Sequence, residues 1–360
     1  MNLTEFEQRR RAAAEQLAAK KVDALLVSSL ANVRYLTGYA GSNGLVLITP
    51  SEEHFFTDPR YGSEAAANLS CKVHVCKGEL IAAAAGIIRR KKFKKIGFEP
   101  AWLRMDRYAQ LQDALPAGAA LEPVANLIEE LRAVKSPDEI AKIRRSVRVN
   151  SEAFARTMNR VRPGVREHQI AAELDFQMRM LGAEKTAFDT IVAAGPRSAL
   201  PHAHPTSHAI GDKELVLIDM GAVVDGYSSD MTRVAHIGTP PRRIRELYKA
   251  VSEAQLAAID SIRAGVPAAR VDATARKVLK GFHLDKQFVH STGHGLGLEI
   301  HEAPKIGKKE KMKLQAGMVI TVEPGAYVNG FAGIRIEDTV LVTENGCQVI
   351  TQTPKKLFIL

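Results

Sequence analysis

The amino-terminal third of the chain alternates short apolar runs with longer amphipathic stretches. The apolar runs, bounded by polar or turn residues, predict β-strands at 24–27, 44–48, 72–75 and 95–98. The amphipathic stretches predict helices at 79–92 and 102–115. Thr4 and Glu7 form a capping-box sequence, which predicts a further helix that extends to about Lys20. Helices and strands that alternate in this way predict a compact α/β domain.

The pattern changes near residue 128. The sequence Ser-Pro-Asp-Glu at 136–139 is typical of a helix start, because Ser caps, Pro fits the first turn and Glu completes a capping box. A second amphipathic helix is predicted at 167–181. Beyond it the chain consists of glycine-punctuated strand patterns that carry Asp, His and Glu. We therefore expect two domains, 1–128 and 129–360.

Composition narrows the class of protein. The 360 residues are 46% hydrophobic and 25% charged, which is typical of a soluble globular protein and excludes collagen-like, coiled-coil and disordered chains. The most apolar window, 80–88, is too short to span a membrane. Residues 1–5 lack the pattern of a secretory signal, and three cysteines are too few for a disulfide framework. We expect a cytoplasmic protein with no membrane contact.

The net charge of +10 raises the question of nucleic-acid binding. The densest basic clusters lie at 89–95 and 305–313. Neither contains the interleaved aromatic residues that stack on bases, and neither lies in a known DNA-binding motif. The clusters are therefore interpreted as solvated basic faces, and a nucleic-acid partner is not expected.

Two aspartates flank a predicted β-hairpin. Asp-Gly at 225–226, between apolar runs, is typical of a type I′ turn because both residues tolerate positive φ. With this turn, Asp219 lies opposite Thr232, and Asp230 becomes its diagonal neighbour on the same face. Two carboxylates directed at one point repel unless a cation lies between them, so the pair is a candidate for a divalent metal site. Two surface aspartates beside a turn are the alternative.

Residues 288–302 present three histidines among glycines. His290 and His294 are four apart, but the glycines make a helical zinc motif improbable, and Leu298 stands where a dinucleotide fingerprint needs glycine. What remains is a glycine-rich strand and loop that presents His290, His294 and His301. Three imidazoles in twelve residues, where glycine lets the backbone approach closely, indicate a functional site.

Two glutamates lie in or at the end of apolar strand patterns, at positions where an unpaired buried charge is costly. Together with the hairpin aspartates and one histidine they form a candidate metal-ligand set: Asp219, Asp230, His294, Glu323 and Glu337. Carboxylate-rich sites suit Mn²⁺ and similar hard cations, and two divalent ions match four carboxylates in charge. Such a pair of ions would lower the pKa of bound water and polarise a carbonyl or phosphoryl group. The predicted chemistry is metal-assisted hydrolysis.

These motifs resemble the pita-bread metallopeptidases, and more narrowly the Xaa-Pro aminopeptidase and Xaa-Pro dipeptidase (prolidase) branch. The resemblance rests on the Asp spacing with Ser-Asp-Met-Thr-Arg, on His-x-x-x-His-Gly-x-Gly-Leu, on Val-Glu-Pro-Gly and on Gly-Ile-Arg-Ile-Glu-Asp. Segments 32–38, 57–61 and 131–136 also resemble this branch, although Pro59 stands where the family often has Gly. The resemblance implies a creatinase-like amino-terminal α/β domain followed by an α+β pita-bread catalytic domain.

The resemblance also implies roles. Asp219 and His294 would each bind one of two ions, Asp230 and Glu337 would bridge them, and Glu323 would bind metal and act as general base and acid. His202 and His301 resemble the pair that contacts substrate and stabilises the tetrahedral intermediate, with His204 as the alternative to His202. His290 and Arg335 resemble residues around the proline side of the scissile bond. The expected ions are Mn²⁺, with Co²⁺ or Zn²⁺ as alternatives, and the expected assembly is a homodimer.

The implied reaction is hydrolysis of the bond between an amino-terminal residue and proline in proline-containing peptides. The stretch 38–44 resembles aminopeptidases more than dipeptidases, so the expected activity is that of an Xaa-Pro aminopeptidase. A prolidase is the main alternative. A methionine aminopeptidase is disfavoured by the preceding domain, and a metal-free relative by the intact ligand set. A non-catalytic binding module on the same fold, for nucleic acid or protein, is the alternative of another class.

Overall fold

The computed structural model describes residues 4–360. It divides into two compact units between Arg132 and Ala133. Residues 1–3, which belong to the segment compared with a secretory signal, lie outside the described residues. Among the described residues, none of the helices combines the length and the apolar character needed to cross a membrane.

The first unit contains a six-stranded sheet in the order β4-β3-β2-β1-β5-β6. Its strands are β1 Ala24–Val27, β2 Leu45–Ile48, β3 Glu53–Thr57, β4 Lys72–Val75, β5 Lys95–Phe98 and β6 Ala120–Pro123. The central strand β1 pairs antiparallel with β2 and parallel with β5. It is buried throughout, which explains its unbroken apolar run. The four predicted strands are confirmed, whereas the shorter apolar patterns of β3 and β6 were not recognised.

The helices of this unit are α1 Glu5–Glu15, α2 Leu30–Thr37, α3 Gly62–Asn68, α4 Leu80–Lys91, α5 Met105–Ala114 and α6 Leu127–Ala133. The capping box of α1 is present, since Thr4 and Glu7 exchange both hydrogen bonds. The predicted end at Lys20 is wrong, because the backbone tightens into turns after Glu15 and Lys21 takes a φ of +57°. Helices α2 and α3 were also missed, although Ser29 caps α2 and Gly38 ends it.

The second unit has four long helices: α7 Pro137–Thr157, α8 Glu167–Met180, α9 Arg242–Asp260 and α10 Ala268–Gly281. The predicted capping box at the start of α7 is present. Helices α9 and α10 lie where the sequence pattern predicted strands, and that prediction is wrong. The helical signal was available, because Ile244, Leu247 and Val251 recur at helical spacing and all three are buried.

Fourteen strands of the second unit form four sheets. The strands are β7 Lys185–Thr186, β8 Ile191–Ala194, β9 Leu215–Met220, β10 Ala222–Val224, β11 Tyr227–Ser228, β12 Met231–His236, β13 Gly293–Gly295, β14 Glu302–Ile306, β15 Val319–Val322, β16 Gly325–Val328, β17 Ala332–Arg335, β18 Asp338–Val342, β19 Cys347–Val349 and β20 Phe358–Ile359. The sheets are ordered β20-β12-β9-β8, β14-β13-β15-β18-β19, β11-β10-β7 and β16-β17.

Helices cover these sheets through two apolar clusters. Helices α7 and α8 pack on β8, β9 and β12 in a cluster that includes Phe154 and Ile218. Helices α9 and α10 pack on β15 and its neighbours in a cluster that includes Leu247 and Ile320. The helices therefore bury one side of the strands, and the polar ends of the strands are left to form a site.

Candidate active site

The five predicted metal ligands all lie in or beside strands of the second unit. Asp219 is in β9 and His294 is in the middle of β13, while the other three lie where a strand begins or ends. Asp230 comes just before β12, Glu323 just after β15, and Glu337 between β17 and β18.

The predicted hairpin register is confirmed. Val224 pairs with Tyr227, and Asp219 pairs with Thr232. The turn at 225–226 has φ values of +50° and +80°, as a type I′ turn requires. The hairpin thus brings Asp219 and Asp230 to the same cavity.

Glycines on both sides of His294 let three strands meet closely. A Cβ on Gly293 would lie 2.0 Å from the carbonyl oxygen of Thr321, and one on Gly295 would lie 2.2 Å from that of Ala303. Neither contact could be accommodated without moving the backbone. The Gly-His-Gly sequence therefore sets how near the imidazole of His294 lies to the acids.

Side chains from separate strands converge on His294. Its Nε2 atom lies 3.5 Å from Oδ2 of Asp230 and 3.5 Å from Oε1 of Glu323. One ligand atom each from Asp230, His294 and Glu337 lies within 4.8 Å of the others. The spacing of these atoms would allow a single cation to contact all three.

Burial and mutual repulsion strongly perturb the acids. Burial, followed by repulsion from Glu337 and Asp219, raises the pKa of Asp230 well above 3.8. Burial and the neighbouring acids likewise raise the pKa of Glu337 well above its ordinary value. Burial is also the main cause that raises the pKa of Glu323 to about 8. Groups perturbed by burial and by one another at the edge of a cavity are typical of a functional site.

Arg335 supplies one positive charge to this cluster. Its NH2 group donates to Oδ2 of Asp219 at 2.5 Å, and its Nε–H donates to Oγ1 of Thr232 at 3.0 Å. Thr232 in turn donates to Oε2 of Glu337 at 2.7 Å. Arg335 also donates to the hydroxyl of Tyr327 at 2.6 Å. The guanidinium thus orients two of the acids while compensating only one of four carboxylates.

The donor set fits divalent cations. Oδ1 of Asp219 and Oε1 of Glu337 are buried, and within residues 4–360 neither has a hydrogen-bond partner. Buried carboxylate oxygens without partners are costly unless a cation is bound. Four carboxylates against one guanidinium leave three negative charges at full ionisation, which two divalent ions would more than balance. Oxygen donors with one imidazole match hard cations rather than a thiolate-preferring metal.

The histidines around the acids have different environments. The ring of His301 packs edge-on against that of His294, with centroids 4.4 Å apart. Nδ1 of His290 lies 2.7 Å from the carbonyl oxygen of Ser291, and its Nε2 lies 2.9 Å from the hydroxyl of Tyr327. Burial is the main cause that lowers the pKa of His290 to about 4, so this imidazole is neutral at pH 7. Because both nitrogens of His290 are engaged, only its ring surface is free to contact a ligand.

The acids face a cavity of about 620 Å³, which is large enough for a small peptide. His202, His301, His290 and Arg335 all line it, so the structure brings together every predicted site residue. His204 lines it as well, so the structure does not separate His202 from its alternative. The remaining wall includes apolar side chains and one further cation: Phe188, Ile191, Ile300 and Lys305.

A buried carboxylate holds the loop that carries His202. Glu167, the first residue of α8, accepts hydrogen bonds from the amides of Ala194 and Thr206, both at 2.9 Å, and from the hydroxyl of Thr206 at 2.7 Å. It also pairs with Arg197, whose NH2 group donates to the carbonyl oxygen of His204. The loop is therefore fixed by a charge outside the cavity.

Several participating residues were not singled out from the sequence. The hairpin register that places Thr232 opposite Asp219 could have suggested Thr232, whereas Tyr327 lies in a different strand from the acids and no periodicity connects it to them. Lys305 was counted only as part of a solvated basic cluster, whereas it lines the cavity. Glu167 gave no signal, because its role depends on a loop that is distant in sequence.

Comparisons with known families agree with this geometry. The description "Metallopeptidase family M24" matches residues 141–344, and "Creatinase/Prolidase N-terminal domain" matches residues 9–134. A Pyrococcus furiosus protein named Xaa-Pro dipeptidase is 34% identical over 336 residues, which cover 93% of this chain and 95% of that protein.

Solved structures show the same fold across both units. An Xaa-Pro dipeptidase from Bacillus anthracis superposes with a TM-score of 0.96 at 36% identity, covering 99% of this chain and 100% of the other. An X-Pro aminopeptidase from Thermotoga maritima gives a TM-score of 0.89 at 34% identity, covering 96% and 100%. The predicted creatinase-like domain and pita-bread catalytic domain are confirmed. The chain belongs to metallopeptidase family M24 and is a peptide hydrolase.

Proposed function

We propose that the chain is a metal-dependent exopeptidase that hydrolyses the bond between an amino-terminal residue and proline, with Xaa-Pro dipeptides as its preferred substrates. The observation that carries the proposal is the buried cluster of four acids and His294 beside a peptide-sized cavity. Relatives named Xaa-Pro dipeptidase and X-Pro aminopeptidase support the proline specificity.

Asp219, Asp230, His294, Glu323 and Glu337 would hold two divalent ions, for which we propose Mn²⁺ on the basis of the oxygen-rich donor set. When bound, the ions would supply Lewis acidity and lower the pKa of a water molecule. Glu323 would accept a proton from the attacking water on a carboxylate oxygen and return it to the proline nitrogen that leaves.

The histidines would bind and orient the substrate. His202 and His301 line the cavity and would stabilise the oxygen of the tetrahedral intermediate through their N–H groups. His290 cannot donate to substrate while both its nitrogens are engaged, so its ring would form an apolar wall for the pyrrolidine. Arg335 would hold Asp219 in place.

Lys305 bears on whether the enzyme is a dipeptidase or an aminopeptidase. A dipeptide presents a free carboxylate immediately after proline, whereas a longer peptide presents an amide there. Lys305 places a cation on the cavity wall, next to β13 and opposite His294 in the strand pairing. A cation at this wall favours a terminal carboxylate, and the dipeptidase name of several relatives agrees. The resemblance of 38–44 to aminopeptidases favours the alternative, an Xaa-Pro aminopeptidase.

The test compares Ala-Pro with Ala-Pro-Ala, using metal-stripped protein with and without Mn²⁺. We expect Mn²⁺ to restore cleavage of Ala-Pro, and Lys305→Ala to raise the KM for Ala-Pro by about tenfold, as loss of one charge-assisted hydrogen bond would. Lys308→Ala, an exposed lysine that does not line the cavity, is the matched control. Faster cleavage of Ala-Pro-Ala would make the enzyme an aminopeptidase, and cleavage of neither peptide would refute the proline specificity.

Two further proposals concern the setting of the enzyme. The free thiols of Cys71, Cys76 and Cys347 are compatible with a reducing compartment, and we propose that the protein is cytoplasmic. We also propose a homodimer, as the family resemblance implies, which sedimentation velocity would test.

A further inference from the structure

The segment 288–292 carries His290 and leads into β13, yet it belongs to no helix or strand. Two side chains on α10 hold its backbone. Asp272 is fully buried, and its carboxylate accepts from Nε of Arg276 at 2.7 Å and from NH2 at 3.1 Å. This pair is one helical turn apart on α10, so the helix presents both groups to the segment.

Arg276 fixes alternate carbonyl groups of the segment. Its NH1 group donates to the carbonyl oxygen of Phe288 at 2.9 Å, and its NH2 group donates to that of His290. The guanidinium also stacks on the ring of Phe288, 4.2 Å from its centroid. Because the guanidinium is planar and its donors are fixed in direction, these contacts define the position of the His290 backbone.

Asp272 extends the connection toward the acids. Its Oδ1 atom accepts from the hydroxyl of Thr292 at 2.9 Å and from the amide of Thr292 at 3.2 Å. The carbonyl oxygen of Thr292 then accepts from the amide of Glu323 at 2.7 Å. A single ion pair on α10 is thus joined to the backbone of both His290 and Glu323.

We propose that Asp272 and Arg276 are positioning residues that set the distance between the His290 ring and Glu323, and so determine how the proline ring is held against the group that transfers the proton. The inference rests on the proposed function for its kinetic consequences. The hydrogen bonds by which Asp272 and Arg276 hold 288–292, called the clamp below, are a property of the apoprotein. Neither residue touches the cavity. A pair that served only the folding of the unit would affect the folded fraction and not substrate binding.

The test is Arg276→Lys, which keeps the charge beside Asp272 but loses the planar fork that reaches both carbonyls. Arg156→Lys is the control, because Arg156 forms an i,i+4 pair with Glu152 at 2.9 Å on the exposed face of α7. The measurements are KM and kcat for Ala-Pro with Mn²⁺, and amide hydrogen exchange of 288–294 without substrate.

We expect Arg276→Lys to raise KM by about tenfold, since a shift of ~1 Å in a binding group costs up to about 100-fold. Amide exchange of 288–294 should accelerate, and Arg156→Lys should match the wild type. A loss of folded protein alone would lower the apparent kcat and leave KM unchanged. If the wild type is active and Arg276→Lys has the same KM, the inference is overturned. If the wild type cleaves no Xaa-Pro peptide, the proposed function fails, and unaltered exchange would then overturn the clamp separately.

Discussion

Replacing Gly295 by alanine tests whether strand spacing controls the metal site. The new Cβ would lie 2.2 Å from the carbonyl oxygen of Ala303 and 2.7 Å from its carbon, and both are backbone atoms that cannot rotate away. Ordinary contact begins at 3.4 Å, so β13 and β14 must separate by about 1.2 Å. His294, the adjacent residue, would move with β13.

The magnitude follows from the tolerance of metal coordination. Ligand distances in metal sites hold to about 0.2 Å, so a shift near 1 Å removes His294 from the coordination shell. Misplacement of this size costs about 100-fold in rate, whereas overpacking costs about 1–3 kcal/mol of stability. We therefore expect Gly295→Ala to fold, to bind less Mn²⁺ and to lose at least about 99% of its kcat/KM for Ala-Pro.

The assay combines metal analysis with Mn²⁺-dependent hydrolysis of Ala-Pro. Gly307→Ala is the matched control, because its Cβ would meet its nearest neighbour, Cβ of Ser291, at 3.5 Å, and Gly307 lies just beyond β14. The control should keep its metal and its rate. If Gly295→Ala retained both within about threefold, close strand approach would not control the position of His294.

Three further predictions concern residues around the site and the core. Burial alone would raise the pKa of Glu167, but the hydrogen bonds from Ala194 and Thr206 together outweigh it and hold the pKa below 4.5. The contribution of Glu167 to folding stability is therefore present above pH 4.5 and is lost as the pH falls through the lowered pKa. Urea unfolding should show Glu167→Gln about 2–4 kcal/mol less stable than wild type at pH 7, with the gap narrowing below pH 4.5, and a constant gap would contradict this. Thr232→Val should remove the hydrogen-bond partner of both Nε of Arg335 and Oε2 of Glu337 and cost about 1–3 kcal/mol in urea unfolding; little change would show that water replaces the hydroxyl. Phe154→Ala should lower the free energy of unfolding by about 3–5 kcal/mol, and Phe176→Ala, at an exposed position, by less than about 0.5 kcal/mol. Equal losses would show that Phe154 does not belong to the core.

Local signals account for the parts of the fold that sequence patterns predicted. The capping boxes at Thr4 and Ser136 were recognised because the interacting residues are three apart. The Asp-Gly turn set the register of Asp219 against Thr232 because a two-residue turn fixes every later pair. Helices α9 and α10 have strong apolar periodicity, but they lie between glycine-punctuated strand patterns, and no capping side chain marks the start of either helix.

In the candidate site, too, some residues could be predicted from local sequence signals and others could not. Its acids stand out because charged residues in apolar strand patterns need a reason, and each can be identified from its own neighbours in sequence. The groups that hold the loops around the acids do not stand out: Arg276 is one of many basic helical residues, and Glu167 follows an ordinary loop. Their roles depend on carbonyl and amide groups that only the folded chain brings within reach.

This division has a physical cause that bears on how the site is built. A metal ligand must be a particular side chain, so its identity is written at one position, whereas a backbone amide or carbonyl can be supplied by any residue except for the missing N–H of proline. Thr292 and Glu323 meet through their backbones, and His290 is held through its carbonyl oxygen. Substitution of the exposed Val289, whose side chain makes none of these contacts, should therefore be tolerated better than substitution of Asp272 or Arg276, which supply the fixed partners. The position of the His290 backbone would then depend on one ion pair on α10 that lies outside the cavity.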